Sequence, residues 1–283
     1  MEDKINKIIQ MDCLEYLRSL PDGCADLILL DPPYNMTQNK WDLDIDLERL
    51  WEQINRIKKQ ETAIIIFTAG IFTAKVMLSN EKHYKYDLIW KKGERTSGFL
   101  NAKKQPLRNH ENILIFYEKP PTYNPQFSEG KPLHSKGKAY LYKENINNNY
   151  NCYKQGEDNR AGETQKYPKS ILNFDRPHPP IHPTQKPTEL LKYLIQTYSN
   201  KNDIVLDCFA GSGSLAQACL ETNRNFLCCE RDEGYVKIAN DRLANWKEDL
   251  LRQDKWLNER GVMDFESDIK EQAKQEQIQK TLI

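Results

Sequence analysis

No stretch of this 283-residue chain is apolar for more than five residues, as at Ala63–Phe67, far short of the ~20 that a membrane helix requires. The opening residues, Met1–Lys7, are polar and carry no signal-peptide pattern, so a cytoplasmic protein with no membrane partner is expected. A Cys-x-x-Cys spacing is missing as well. The seven cysteines, Cys13, Cys24, Cys152, Cys208, Cys219, Cys228 and Cys229, are odd in number and irregularly spaced. That argues against a disulfide framework and a zinc site alike, leaving buried reduced thiols and no metal as the expectation. Net charge is lacking too, with 41 basic and 41 acidic residues, which excludes a protein that coats a polyanion through bulk charge. Its distribution is uneven, however: 11 basic residues face 15 acidic ones over 1–90, 15 face 8 over 91–169, and 15 face 18 over 170–283. Positive charge is therefore concentrated in the middle third.

The spacing of apolar residues predicts a short strand at Ile5–Ile9, a helix over Asp12–Leu20 and a buried strand at Leu27–Leu30 ending on Asp31. A helix over Leu47–Ile57 and a strand over Ala63–Thr68 follow, then strands at Tyr86–Trp90 and Ile113–Tyr117. The rhythm is that of a parallel sheet with helices on both faces. Between about Lys119 and Pro183 it dissolves into Pro, Gly, Asn, Tyr and Lys; a stretch of that kind in a compact enzyme is usually functional or mobile. Order returns with a helix over Thr188–Tyr198, a strand over Ile204–Cys208, a helix over Ser214–Leu220, a strand over Asn225–Cys229 and a long helix from about Glu233 toward a cap near Gly261. Four regions result: 1–90, 91–180, 181–245, and a helical extension or tail over 246–283.

Two motifs carry chemistry. In Asp207-Cys208-Phe209-Ala210-Gly211-Ser212-Gly213 a strand turns into a helix through small residues, as it must where backbone approaches a ligand. The helix start offers free N–H groups and a positive dipole end, suited to a nucleotide phosphate or an amino-acid carboxylate. A lysine after the glycines is absent, which disfavours a P-loop. Glu230, 19 residues beyond Gly211, stands where an acid can accept from ribose hydroxyls. Taken alone, the turn is also compatible with a purely structural role. In Asp31-Pro32-Pro33-Tyr34 the prolines hold the chain extended, so that the Asp31 carboxylate and the Pro32 carbonyl can face one amino group together. Tyr34 adds a flat face for stacking a planar base.

Together with His182-Pro183-Thr184-Gln185-Lys186-Pro187 and Met11-Asp12-Cys13-Leu14, these motifs resemble the DNA amino-methyltransferases that use S-adenosylmethionine. The resemblance spans about Ile5–Leu243, and the order of motifs is that of the permuted β group. It implies a Rossmann-like, seven-stranded mixed sheet with one antiparallel strand, and an inserted target-recognition region at 91–180 between a catalytic half (1–90) and a cofactor-binding half (181–245). Asp31, Pro32, Pro33 and Tyr34 would be catalytic. The cofactor would be held by Asp12, Cys13, Asp31, Thr184, Lys186, Asp207, Phe209, Ala210, Gly211, Ser212, Gly213, Glu230 and Arg231. Within that set Phe209 packs on its adenine, Asp12 accepts from the adenine amino group, Glu230 holds the ribose, Gly211 and Gly213 line the methionine moiety, and Thr184 with Lys186 meets the carboxylate. Met11 departs from the family, which often has Gly there. Asp rather than Ser before Pro-Pro-Tyr resembles the adenine-N6 members more than the cytosine-N4 members.

The partner implied is DNA, with a cognate restriction endonuclease and a homodimer as further implications. A base inside a duplex cannot reach such a pocket, so the target must flip out. The basic residues Lys91, Lys92, Arg95, Lys103, Lys104 and Arg108 are expected at the DNA, and the polar loop 35–44 with Trp41 is placed to close over the flipped base or fill its gap, a place in the core being the alternative for Trp41. His110 and Glu111 match a His-Glu pair common in the family, for which a structural role is expected. Cytosine N4, an amino group of RNA or of protein glutamine, and an inactive DNA-recognition subunit are the competing readings. A dinucleotide oxidoreductase would leave Asp31–Tyr34 unexplained.

Overall fold

Runs buried on both faces alternate along the chain with amphipathic runs, and a layered α/β sheet is the only economical way to bury both. The computed structural model describes residues 1–34, 45–94, 96–132, 162–177 and 185–259, with backbone alone at 247 and from 249 onward. Its elements are β1 (Lys7–Gln10), α1 (Cys13–Arg18), β2 (Ala25–Leu30), α2 (Leu47–Ile57), β3 (Lys58–Thr68), α3 (Ile71–Ser79), β4 (Tyr84–Lys91), β5 (His110–Phe116), β6 (Ser128–Glu129), β7 (Gln165–Lys166), β8 (Ile171–Asn173), α4 (Thr188–Tyr198), β9 (Ile204–Asp207), α5 (Ser214–Glu221), β10 (Asn225–Glu230) and α6 (Glu233–Glu259).

The main sheet runs β1-β10-β9-β2-β3-β5-β4-β8. Among the described residues of this sheet only β5 is antiparallel to its neighbours. The sheet thus has eight strands where seven were expected. The extra one, β8, comes from the end of the middle segment and pairs parallel to β4, Ile89 with Ile171 and Lys91 with Asn173, covering an edge that would otherwise be open.

Alternation along the central strands divides the core. Leu27 and Leu29 of β2, Ile65 and Phe67 of β3 and Val205 of β9 pack with α4, α5 and α6 on one face. Ile28, Leu30, Ile64, Ile66 and Leu206 pack with α1, α2 and α3 on the other. Because β2 and β9 are neighbours, with Leu27 opposite Val205, and the chain moves outward from them in opposite directions, the sheet has its topological switch point there. Ligands of such folds bind outside the carboxyl ends of the strands at that point. Asp31 follows β2 and Asp207 ends β9, so both chemical motifs meet at this crevice.

Candidate active site

The Asp31 side chain leaves the end of β2 about a quarter exposed, at 24%. Its Oδ1 accepts from the Tyr34 hydroxyl at 2.8 Å, and its Oδ2 from Lys186 Nζ at 2.5 Å. The Tyr34 ring is itself stacked on Phe72 of α3, with centroids 5.3 Å apart and planes 27° from parallel. A carboxylate oxygen has two lone pairs, so Asp31 keeps acceptor capacity for a third partner.

Lys186 is buried, and its ammonium reaches a second carboxylate, Glu111 Oε2 of β5, at 3.4 Å. Glu111 Oε1 in turn meets Lys92 Nζ at 2.5 Å. The result is a chain of four alternating charges, Lys92, Glu111, Lys186 and Asp31, at the carboxyl edge of the sheet. The ring of Phe67 lies 4.9 Å from Lys186 Nζ and that of Tyr34 5.8 Å away, adding negative aromatic faces around the cation. Burial by itself would lower the Lys186 pKa, but Asp31 and Glu111 outweigh it and hold it above the usual lysine value. Glu111 is the converse: burial would raise it, and Lys186 with Lys92 draws it below the usual carboxylate value. For Asp31 burial prevails and raises the pKa, with Lys186 pulling against it and Glu111 adding to it.

The glycine turn lies one strand over. Asp207 is buried, its carboxylate accepts from Phe209 N at 2.8 Å, and burial pushes its pKa up to about 8. Gly211 has φ of +51°, and a Cβ there would find no atom within 4 Å. Gly213, at φ +76°, differs, since its Cβ would come within 2.8 Å of Ala239 Cβ of α6. Glycine is thus required at Gly213 for helix packing, whereas Gly211 faces open space. Glu230 Oε2 accepts from Gly211 N and Oε1 from Asp232 N, each at 2.9 Å, tying the turn to the end of β10. Arg242 of α6 clamps the same turn, donating to Ser212 O at 2.9 Å and to Ser214 Oγ at 2.7 Å. Asp12 caps α1 by accepting from Leu14 N at 3.0 Å. Cys13 and Phe209 are partly exposed, Ala210 and Ser212 are buried, and Arg231 is exposed.

Several expected site residues are therefore gathered at one edge, but not all in the expected posture. Lys186, expected at the cofactor carboxylate, has its ammonium between Asp31 and Glu111. Lys92 does not belong to an outward basic surface: it is 5% exposed and committed to Glu111. Lys91, Lys103 and Lys104 are exposed and Arg108 half-buried. Trp41, Arg95 and Thr184 lie outside the described residues. A cavity of about 480 Å³ opens beside the crevice between α3 and β5, lined by Gly70, Thr73, Met77, Arg108, His110 and Asn112 among others. Arg242, Phe72 and Phe67 were not singled out by the sequence; the helical spacing of Arg242 from Ala239 is the one cue it held. Of the six described cysteines, all but Cys13 are buried, none is bonded, and burial raises every one of their pKa values, which disfavours the thiolate form.

Comparison with known proteins follows the same lines. A family model described as DNA methylase, covering the N6 and N4 enzymes, matches residues 25–241. Type II methyltransferase M1.MboII of Moraxella bovis is 27% identical over 259 residues, covering 84% of this chain and 96% of its own. DNA adenine methyltransferase YhdJ of Escherichia coli (strain K12) is 29% identical over 255 residues, with 83% and 82% covered. Among solved structures, the M1.HpyAVI–SAM complex superposes with a TM-score of 0.55 at 22% identity, over 83% of this chain and 98% of that one.

Proposed function

We propose, given that this chain belongs to the N6/N4 DNA methylase family, that it methylates the exocyclic N6 of an adenine flipped out of DNA at a specific site. That it is an S-adenosylmethionine-dependent DNA methyltransferase follows from the family; the choice of adenine is the proposal. The observation that carries it is the Asp31 carboxylate, fixed at the end of β2 by Tyr34 and Lys186 with acceptor capacity to spare. The Asp before Pro-Pro-Tyr, and the substrate in the name of the YhdJ relative, support adenine over cytosine.

The residues at the glycine turn fit S-adenosylmethionine. Gly211 leaves room that a side chain would fill, Glu230 closes the end of β10 beside it, and the buried Asp207 carboxyl offers a hydrogen-bonding partner to the amino-acid end. Phe209, partly exposed, offers an apolar face. When bound, the cofactor supplies an electrophilic methyl group.

The chemical difficulty lies in the acceptor, because the lone pair of an adenine amino nitrogen is delocalised into the ring. Asp31 and the Pro32 carbonyl, accepting from its two N–H groups, favour a pyramidal nitrogen and stabilise the positive charge that develops there, a preorganised electrostatic effect. Asp31 is then the adjacent group able to take the surplus proton, helped by the burial that raises its proton affinity. Tyr34, stacked on Phe72, is the planar side chain beside Asp31 that we assign to the extruded base. We assign sequence reading to the region 91–180.

The test is the product nucleoside. Purified protein incubated with unmethylated DNA and methyl-labelled cofactor, followed by digestion, is expected to place the label in N6-methyl-2′-deoxyadenosine. Label in N4-methylcytosine would retain the mechanism and overturn the adenine assignment.

A further inference from the structure

Strand β4 ends and β5 begins at the same sheet edge as Asp31, and the segment joining them is a braced stalk. Lys92 N donates to Asn109 O at 2.8 Å, and Ser97 and Arg108 exchange backbone hydrogen bonds at 2.8 and 3.0 Å. Beyond that bridge the chain turns at Gly98, φ +84°, into a short 3₁₀ turn, Phe99–Asn101, closed by Asn101 N to Gly98 O at 2.9 Å and Lys104 N to Asn101 O at 2.8 Å. At its tip the Phe99 side chain is 79% and Leu100 99% exposed. Two large adjacent apolar residues held in a hydrogen-bonded turn and offered to water need a partner. The surroundings say of what kind: Lys103 and Lys104 stand exposed just behind the tip, Arg108 lies at the stalk, and no acidic residue occurs between Thr96 and His110.

We propose that Phe99 and Leu100 form a wedge that enters duplex DNA beside the target base, with Lys103, Lys104 and Arg108 on the flanking phosphates. Apolar side chains inserted between base steps, steered by neighbouring cations, are a known means of opening a duplex. A flipped base leaves a gap lined by the apolar faces of its former neighbours, which an apolar side chain fills better than water. The stalk gives the reach, since it rises from the edge that carries Asp31. The inference rests on the DNA methyltransferase reading and adds to it the element that separates the strands.

The test compares the full chain with its Phe99→Ala/Leu100→Ala variant on two oligonucleotide substrates. One is a fully paired duplex, the other the same duplex with the target base mispaired, for which little remains to be opened. Both residues are exposed, so the variant is expected to fold, as its melting curve would verify. The account predicts a rate on the paired duplex lower by roughly ten- to a hundredfold, an unchanged rate on the mispaired one, and loss of the 2-aminopurine fluorescence rise at the target position. Equal rates on both substrates, or an equal fall on both, would overturn the wedge while leaving the methyltransferase reading intact. Equal rates accompanied by dissociation of a dimer in sedimentation would overturn it in favour of an interface between copies. No methyl transfer by the unaltered chain on either substrate would instead sink the underlying reading.

Discussion

Lys186 sits buried between Asp31 and Glu111, and what it does to each can be separated by its pH signature. In the proposed reaction Asp31 must be ionised to accept from an amino group, so activity is expected to be lost as pH falls through its raised pKa. Lys186 lowers that pKa and Glu111 raises it. Lys186→Met is therefore expected to move the acid limb of the rate profile to higher pH, and Glu111→Gln to move it lower. A general loosening of the fold would shift both the same way or neither, which is what single-turnover profiles of the two variants would distinguish. Lys186→Met, by leaving Glu111 with Lys92 alone and Asp31 with the Tyr34 hydroxyl alone, is also expected to cost about 3–5 kcal/mol in denaturant unfolding. Asp31 and Tyr34 were legible as a motif because they are contiguous. The Lys92–Glu111–Lys186 part was not, because its members come from three separate segments, and Lys186 lies 155 residues from Asp31. No local pattern in sequence distinguishes a buried, paired lysine such as Lys92 from a solvated one.

Elements were legible wherever burial imposes a period. In α2 the residues Leu50, Trp51, Ile54 and Ile57 are buried, with Asp46 accepting from Arg49 N as the cap, and both the helix and its limits follow from that spacing. In α3 only Phe72 and Val76 are buried while Ile71 and Leu78 face outward at 72% and 74% exposure, so no amphipathic stripe announced it. The three-residue β8 is specified by the open edge of β4 rather than by its own sequence. The two glycines of the turn, alike in the motif, differ in their surroundings, and this can be tested. Gly213→Ala would place a Cβ 2.8 Å from that of Ala239 at a positive φ, with an expected loss of about 2–4 kcal/mol from strain and overpacking. Gly211→Ala should lose only about 1–2 kcal/mol and instead weaken cofactor binding, seen as a smaller thermal shift with S-adenosylmethionine. Equal stability of the two variants would contradict the distinction.

Across the whole molecule, a neutral chain has its charge sorted by task. The excess of basic residues falls at 91–169, from which the stalk carrying Lys103 and Lys104 rises beside the switch-point crevice. Within that crevice charge is paired and buried instead. The expected parallel sheet with helices on both faces and a single antiparallel strand is present, and among the described residues no helix is long and apolar enough to cross a membrane. What the linear sequence did not disclose is the juxtaposition of β2, β5 and the Lys186 segment, since strand order depends on packing over the whole domain.

The central claim, that the chain methylates adenine and needs Asp31 to do so, is tested most directly in a living host that lacks adenine methylation. The chain and its Asp31→Ala variant would be expressed there and the host DNA read by modification-sensitive long-read sequencing. N6-methyladenine in one sequence context with the unaltered chain, and none with the variant, is the predicted result. N6-methyladenine persisting at the same sites with Asp31→Ala, or N4-methylcytosine in its place, would contradict the account.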